Sequence, residues 1–232
     1  MEETVQPEVN RLVASLYDRL LVNVAGTVLA TTQVAWPTRM KAATPAGVYE
    51  GKVIDPSQRV VVVDLARAGI LPSHRFFEGL HQAIAPGELR QDHVVASRTT
   101  DESGRVQGVQ FDGSKIGGPI EDATVLFPDP MGATGSSIAG VIDHYLSPTV
   151  GGTPRAMAAI HLIVTPEYLR RMTRDYPNLE IFAVRLDRGL SSPEVLATPP
   201  GTRWDEERGL TEIQYIVPGA GGVGEVLNNA WV

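Results

Sequence analysis

The sequence predicts an α/β fold, a parallel sheet flanked by helices, built as a single domain. Three observations predict it. Short, wholly apolar, largely β-branched runs recur from Arg59 onward; each is followed by a loop containing Gly or Pro; and each loop leads into a helical stretch. Strands covered on both faces read as continuous apolar runs, and strand–helix alternation implies parallel strands joined by crossover helices. A chain of 232 residues is long enough to bury one substantial core.

The elements follow in order. Val9, Leu12, Val13, Leu16 and Leu20 recur at helical spacing after Pro7, so the N-terminal segment is an amphipathic helix. The strand runs are Val60 to Val63, His93 to Ala96, Thr124 to Phe127, Ala158 to Val164 and Glu180 to Val184. Beyond them the pattern loosens: Ser191-Ser192-Pro193, Pro199-Pro200-Gly201 and the charged cluster Asp205 to Arg208 read as a surface excursion. A β-like run from Ile213 to Val217 precedes the glycine-rich stretch Pro218 to Gly224. The expected organisation of 1–232 is a core over 59–185 with a small hood from 1–58 and 186–232.

Composition removes whole classes of function. The net charge is −7 and no basic stripe is visible, which argues against a nucleic-acid partner. No apolar run approaches a membrane span. The acidic start Met1-Glu2-Glu3-Thr4 is not followed by the apolar stretch of a secretory leader, so a cytoplasmic location is expected. With no cysteine, disulfides, thiolate catalysis and cysteine-ligated metals are excluded. The five histidines show no metal-ligand spacing and are expected to be packing or surface residues, so no protein metal site is expected.

In open α/β sheets ligands bind beyond the carboxyl ends of the strands. The run ending at Phe127 continues as Pro128-Asp129-Pro130-Met131-Gly132-Ala133-Thr134-Gly135-Ser136-Ser137, after which Ile138, Val141, Ile142 and Tyr145 mark a helix. Unpaired amides in the first helical turn, together with the helix dipole, favour an anion such as phosphate. Thr134, Ser136 and Ser137 add hydroxyls, Gly132 and Gly135 permit close backbone approach, and Asp129 can accept hydrogen bonds from sugar hydroxyls. The same residues would also serve a plain turn with a serine helix cap. The string is neither a Walker loop nor a Rossmann glycine motif.

Taken whole, it resembles the loop with which type I phosphoribosyltransferases bind 5-phosphoribosyl-1-pyrophosphate (PRPP). The form Asp-Pro-Met-x-Ala-Thr-Gly is similar to that of the uracil phosphoribosyltransferases. Further matches are collinear. Arg67-Ala68-Gly69 resembles the family's pyrophosphate loop, and Arg98 its arginine at the next strand end. Lys115, fourteen residues before Asp129, resembles the lysine of the family's hairpin. Tyr215-Ile216-Val217-Pro218-Gly219 matches the family's base-pocket string. The resemblance implies a type I phosphoribosyltransferase-like fold and Mg²⁺-assisted transfer of the phosphoribosyl group from PRPP to uracil or a related heterocyclic base. Pyrophosphate leaves. Asp129 and Arg67 are the implied catalytic residues. PRPP is implied to contact Arg67, Ala68, Gly69, Arg98, Lys115, Asp129, Met131, Gly132, Ala133, Thr134, Gly135, Ser136 and Ser137. The base is implied to contact Tyr215, Ile216, Gly221, Gly222 and Val223. Mg²⁺ is carried mainly on PRPP, and the expected assembly is a homo-oligomer, a dimer by family. Considered alone, Arg67 is equally a partner for Asp64, and Lys115 a solvated charge.

The chain departs from that family at the base end. Gly222 stands for the first aspartate of the string Gly-Asp-Ala-Gly-Asp-Arg, Val226 stands for its arginine, and the closing Phe-Gly-Thr is missing. Gly132 stands where leucine is usual, and about twenty extra residues separate Asp187 from Tyr215. The lost aspartate predicts open room at Gly222 and a preference for a larger or less polar acceptor than uracil. Two alternatives remain: the same chemistry on a non-uracil acceptor in a specialised pathway, and a non-catalytic PRPP or nucleotide sensor.

Overall fold

The structure is a computed structural model describing residues 5–100 and 106–230, without the side chains of 97–100 and 106–111. Its centre is a sheet built from β3 (Val60–Ala66), β4 (Leu89–Thr100), β5 (Val106–Lys115), β6 (Thr124–Pro128), β7 (Met131–Gly132), β8 (Ala156–Val164) and β9 (Leu179–Leu186). β4, β3, β6, β8 and β9 lie side by side and parallel, and β5 closes one edge antiparallel to β4. The predicted parallel sheet is therefore present, with one antiparallel edge.

Alternation along the strands explains why helices cover both faces. Val60 and Val62 of β3, Leu126 of β6, and Ala158 and Ile160 of β8 point to one side. There they meet Val13, Tyr17, Leu20 and Val24 of α1 (Glu8–Val28) and Phe76 and Leu80 of α2 (Ile70–Leu80). Val61, Val63, Val125, Phe127 and Ala159 point the other way. They pack on Ile138, Val141, Ile142 and Tyr145 of α3 (Ser136–Leu146) and on Tyr168 and Met172 of α4 (Pro166–Asp175). A strand with period-two side chains but apolar residues at every position needs two such layers.

Several expectations are modified. The N-terminal helix is present but runs to Val28, and its buried seam is Val13, Tyr17, Leu20, Val24 and Val28, leaving Leu12 exposed. Of the segment 1–58, this helix packs on the central sheet, whereas β1 (Thr31–Pro37) and β2 (Val48–Ile54) form a separate antiparallel pair. β9 lies at the sheet edge, so its run is not covered on both faces: Val184 is half exposed. The run Ile213 to Val217 is not a strand. Gln214 takes φ 67° inside a turn closed by its own N–H to Thr211 O, and only Ile216 bridges to Leu210. The excursion at 188–212, which includes the short helix α5 (Pro193–Leu196), is anchored by a buried charge. Glu207 is fully buried against Arg188, 3.1 Å away, while Asp205 and Glu206 of the same cluster face solvent.

A second buried carboxylate links sheet to helix. Asp92 of β4 accepts from Arg90 Nε (3.1 and 3.2 Å), Gly117 N–H (2.9 Å) and Tyr145 Oη (2.9 Å). Burial, then the Asp92 charge, drives the Tyr145 hydroxyl above its ordinary pKa, so it stays a donor. Removing that donor leaves a buried charge short of a partner. Tyr145→Phe is expected to lower unfolding stability by about 1.5–3 kcal/mol, read as a shift of the urea midpoint without a change in slope. An unchanged midpoint would show the bond contributes nothing.

Candidate active site

Strand pairing brings the predicted loops to one edge. β3 and β6 are adjacent and parallel, so the loops leaving their carboxyl ends, Arg67 to Gly69 and Asp129 to Ser137, emerge side by side. The third loop, Tyr215 to Gly224, is tied to the end of β9. Asp187 Oδ2 accepts the Gly219 N–H at 2.7 Å, Arg185 donates to Gly219 O at 3.2 Å, and Gly189 N–H donates to Val217 O at 2.9 Å. The Arg185 guanidinium also clamps the buried Asp187 carboxylate through two bonds of 2.5 and 2.8 Å.

The loop after β6 starts from a ladder that does not change register. Pro128 faces Ile160 on β8, and after the interruption Met131 faces Ile163 with the same offset. Between them Asp129 N–H donates to Ile160 O (2.9 Å), and Pro130 O accepts from Leu162 and Ile163 N–H (3.0 and 3.1 Å). Gly135 then turns the chain into α3 from the left-handed region at φ 78°, as its side-chain-free backbone allows. No side chain caps that helix. The serines are thus not its cap; Thr134 Oγ1 accepts the Ser136 N–H (3.2 Å) and donates to Ser136 Oγ (3.1 Å), shaping the loop itself. Asp129, Met131 and Ala133 to Ser137 line one pocket, and Gly132 of the same string does not.

Three side chains at this pocket were not singled out by the sequence reading as functional. His161, buried in β8, places Nδ1 2.6 Å from Asp129 O and Nε2 2.6 Å from Tyr168 Oη. A carbonyl only accepts, so Nδ1 carries the proton and Nε2 accepts from the tyrosine. Burial pushes the imidazole down to about 4, against a smaller lift from the Asp129 carbonyl, and it stands neutral at pH 7. Burial, then the Asp129 charge, raises the Tyr168 hydroxyl. The Tyr168 ring also explains Gly132: a Cβ there would lie 2.9 Å from Val164 Cγ1 and 3.1 Å from Tyr168 Cγ. Arg171 of α4 donates to Ser136 Oγ at 2.8 Å and to Thr134 O at 3.4 Å, bringing a guanidinium to a loop that has no cation of its own.

Of the predicted cations, Arg67 follows β3, and the Ala66–Arg67 peptide is cis. It does not pair with Asp64. Asp64 Oδ2 instead lies 2.8 Å from His93 Nδ1, and its burial raises the carboxyl pKa. Lys115 sits at the end of β5, exposed and directly opposite His93; among the described residues it makes no ion pair. Arg98 is in β4, and its side chain lies outside the described residues.

At the base end, Gly219 and Gly221 take φ 63° and 69°, and Tyr215 is exposed. Val217 exchanges backbone bonds with Gly189 and Gly209, Ile216 bridges to Leu210, and Val223 begins α6 (Val223–Asn228). The expectation of open room at Gly222 is corrected. A Cβ at Gly222 would collide with Oε2 of Glu225, so a carboxylate from one turn later occupies the place of the missing side chain.

A separate cavity of about 280 Å³ opens at the opposite, amino-terminal edge of the sheet, between Arg59, Glu88, Arg90 and Gly117 to Pro119. Its Arg90 is committed to Asp92 and to the carbonyls of Gly118 (2.7 Å) and Pro119 (3.1 Å). Among the described residues no three His, Asp or Glu side chains gather as a metal cage, and no helix is long and apolar enough to cross a membrane.

Comparison with known proteins matches residues 2–202 to the family described as uracil phosphoribosyltransferase. The match ends before the loop at Tyr215 to Gly224. The uracil phosphoribosyltransferase of Pyrobaculum arsenaticum is 30% identical over 186 residues, covering 80% of this chain and 74% of that protein. That of Thermococcus sibiricus is 26% identical over 187 residues, covering 81% and 67%. Among solved structures, the AQ2163 protein of Aquifex aeolicus shares the fold with a TM-score of 0.68 at 21% identity, covering 98% of this chain and 88% of that one.

The close packing of Gly132 on Tyr168 is open to test. Gly132→Leu is expected to overpack the loop and cost about 1–3 kcal/mol. Combined with Tyr168→Ala, the loss measured by urea unfolding should be smaller than the sum of the two single losses. Strict additivity would show that the two positions do not share that space.

Proposed function

The chain belongs to the uracil phosphoribosyltransferase family, and from that premise we propose that it transfers the 5-phosphoribosyl group of PRPP to uracil or a closely related base, releasing pyrophosphate. The observation that carries this reading is that three loops lie at the carboxyl ends of the parallel strands: an anion pocket at Asp129 to Ser137, an arginine loop at Arg67 to Gly69, and a base loop at Tyr215 to Gly224, whose Gly224 comes against Ala68. The carboxylate that Glu225 supplies at Gly222 favours a polar acceptor such as uracil over the apolar one expected from the sequence. In this reading 186–232 forms the hood over the sheet edge, and the enzyme acts in the cytoplasm. A homodimer is proposed with it, for which the β1–β2 pair offers exposed Trp36 and Tyr49 and the turn between them Met40.

Holding the 5-phosphate in the Thr134 to Ser137 loop and the pyrophosphate near Arg67 fixes both ends of PRPP, so the bond from C1 to the leaving oxygen can stretch without the substrate moving away. The ribose becomes cationic as that bond breaks, and Asp129 is the carboxylate placed to hold the ribose hydroxyls and stabilise it. Arg171 adds charge at the phosphate end through Ser136 Oγ. Mg²⁺ fits as a cation that arrives on PRPP, because it retains oxygen ligands of its substrate and water, and one carboxylate among hydroxyls is all the loop needs to add. When bound, it would neutralise the pyrophosphate while held mainly by PRPP oxygens and water.

A PRPP-dependent pyrophosphate-release assay across pyrimidines, purines and other heterocycles tests the reading directly. Uracil, or a base sharing its amide edge, should be the best acceptor by kcat/KM; no release with any acceptor would leave a sensor rather than an enzyme. Asp129→Asn and Thr134→Ala should each lower turnover at an unchanged Tm, and wild-type rates in the double variant would remove this loop from the site. Arg67→Ala should weaken PRPP binding more than binding of the nucleoside monophosphate product, which lacks the pyrophosphate. Equal weakening would take Arg67 out of that role.

A further inference from the structure

The Arg67 side chain is held by the C-terminal segment, from α6 and the residues just after it. Its Nη2 lies 3.6 Å from Glu225 Oε1, and its Nη1 donates to Ala230 O at 3.4 Å. Asn228 Nδ2 donates to Arg67 O, also at 3.4 Å. α6 is itself fixed. Leu227 is buried in the core with α1, and the Gln6 amide donates to Val226 O (2.8 Å) and Leu227 O (3.1 Å). The other carboxylate oxygen of Glu225 fills the side-chain space of Gly222. One carboxylate therefore bridges the pyrophosphate loop and the base loop.

We propose that Glu225 is an internal stand-in for pyrophosphate: it holds Arg67 in place until the pyrophosphate of PRPP takes over that guanidinium, and the carboxylate, released from Arg67, is left in the base loop beside Gly222. This rests on the reading of Arg67 as a pyrophosphate ligand. The chemistry favours the exchange. Pyrophosphate brings several charges and can engage a guanidinium through paired oxygens, whereas Glu225 makes a single contact longer than a hydrogen bond, with both side chains about one-third exposed (38% and 30%). Once pyrophosphate is present, repulsion between two anions at one guanidinium drives the carboxylate away. Gly222 leaves room for the carboxylate between the two loops. A side chain at 222 would exclude Glu225 from that space, so the glycine and the glutamate are parts of one device. Its consequence is that the carboxylate beside Gly222 is free of its guanidinium partner only when pyrophosphate holds Arg67.

The test is calorimetric titration of inorganic pyrophosphate into the full chain, as wild type, Glu225→Gln, Arg67→Gln and the double variant. Removing an internal competitor should tighten binding, the opposite of what loss of an ordinary ligand or of fold would do. Glu225→Gln is expected to bind pyrophosphate up to about five-fold more tightly, the size of a partly exposed ion pair. Glu225→Asp, whose shorter arm reaches Arg67 poorly, should tighten it as well. In the Arg67→Gln background the same change at 225 should have no effect. Unchanged or weaker binding by both Glu225 variants, with Arg67→Gln still weakening it, overturns this inference and leaves the reading of Arg67 intact. If Arg67→Gln binds pyrophosphate as wild type does, the reading of Arg67 falls, and the inference with it.

Discussion

The candidate site depends on one ladder, the pairing of β6 and β7 with β8. Because the offset is the same on both sides of Asp129 and Pro130, those two residues are pinned between hydrogen bonds from Asp129 N–H and to Pro130 O. Neither Pro128 nor Pro130 has an N–H to offer the ladder, and the regular pairing is interrupted at Asp129 and Pro130 before it resumes at Met131. The Asp129 side chain is thereby set at a sheet edge whose backbone cannot slide. His161 reinforces this from the neighbouring strand: its Nδ1–H holds the Asp129 carbonyl, and Tyr168 holds the imidazole. A neutral, doubly bonded histidine suits that task, since its burial penalises the charged form.

Buried carboxylates do comparable work elsewhere in the chain. Asp92 joins β4 to the approach of β6 and to α3; Asp187 holds the Gly219 peptide and so sets where the base loop begins. Glu207 anchors the extra segment through Arg188 and the Gly201 N–H. In each case the carboxylate takes bonds from segments apart in sequence, which is how irregular loops are fixed where no apolar side chain reaches them. Asp64 differs, with one oxygen on His93 and the other unbonded.

The central strands and the small-residue loop between β6 and α3 were legible in the sequence because their signals are local: an apolar run, a small-residue turn, a helix start. Arg67 and Asp129 came together because parallel neighbours release their loops at the same edge. What was not legible was set by long-range pairing. Nothing local separates Ile213 to Val217 from a strand; only the turn at Gln214 and the lack of a neighbour beyond Leu210 do. β9 reads like an interior strand, and only sheet order makes it an edge. His161 did leave a trace, as the single polar residue in the apolar run Ala158 to Val164, but its partner Tyr168 lies in the following helix and no spacing rule links strand to helix.

The departures from the family motif illustrate the same limit more sharply. Taken one position at a time, Gly132 and Gly222 are losses, each removing a side chain and leaving space. In three dimensions each is half of an exchange: Tyr168 occupies the room beside Gly132, and Glu225 the room beside Gly222. The two exchanges differ in kind. A buried aromatic ring replaces volume with volume, and its worth is in packing. A carboxylate swung in from the next turn replaces charge with charge, but on a longer and more mobile arm that also reaches Arg67. Under the exchange proposed above, Glu225 ties the charge beside Gly222 to the state of Arg67, so the position at which the motif loses its side chain is also the one that links two loops of the candidate site.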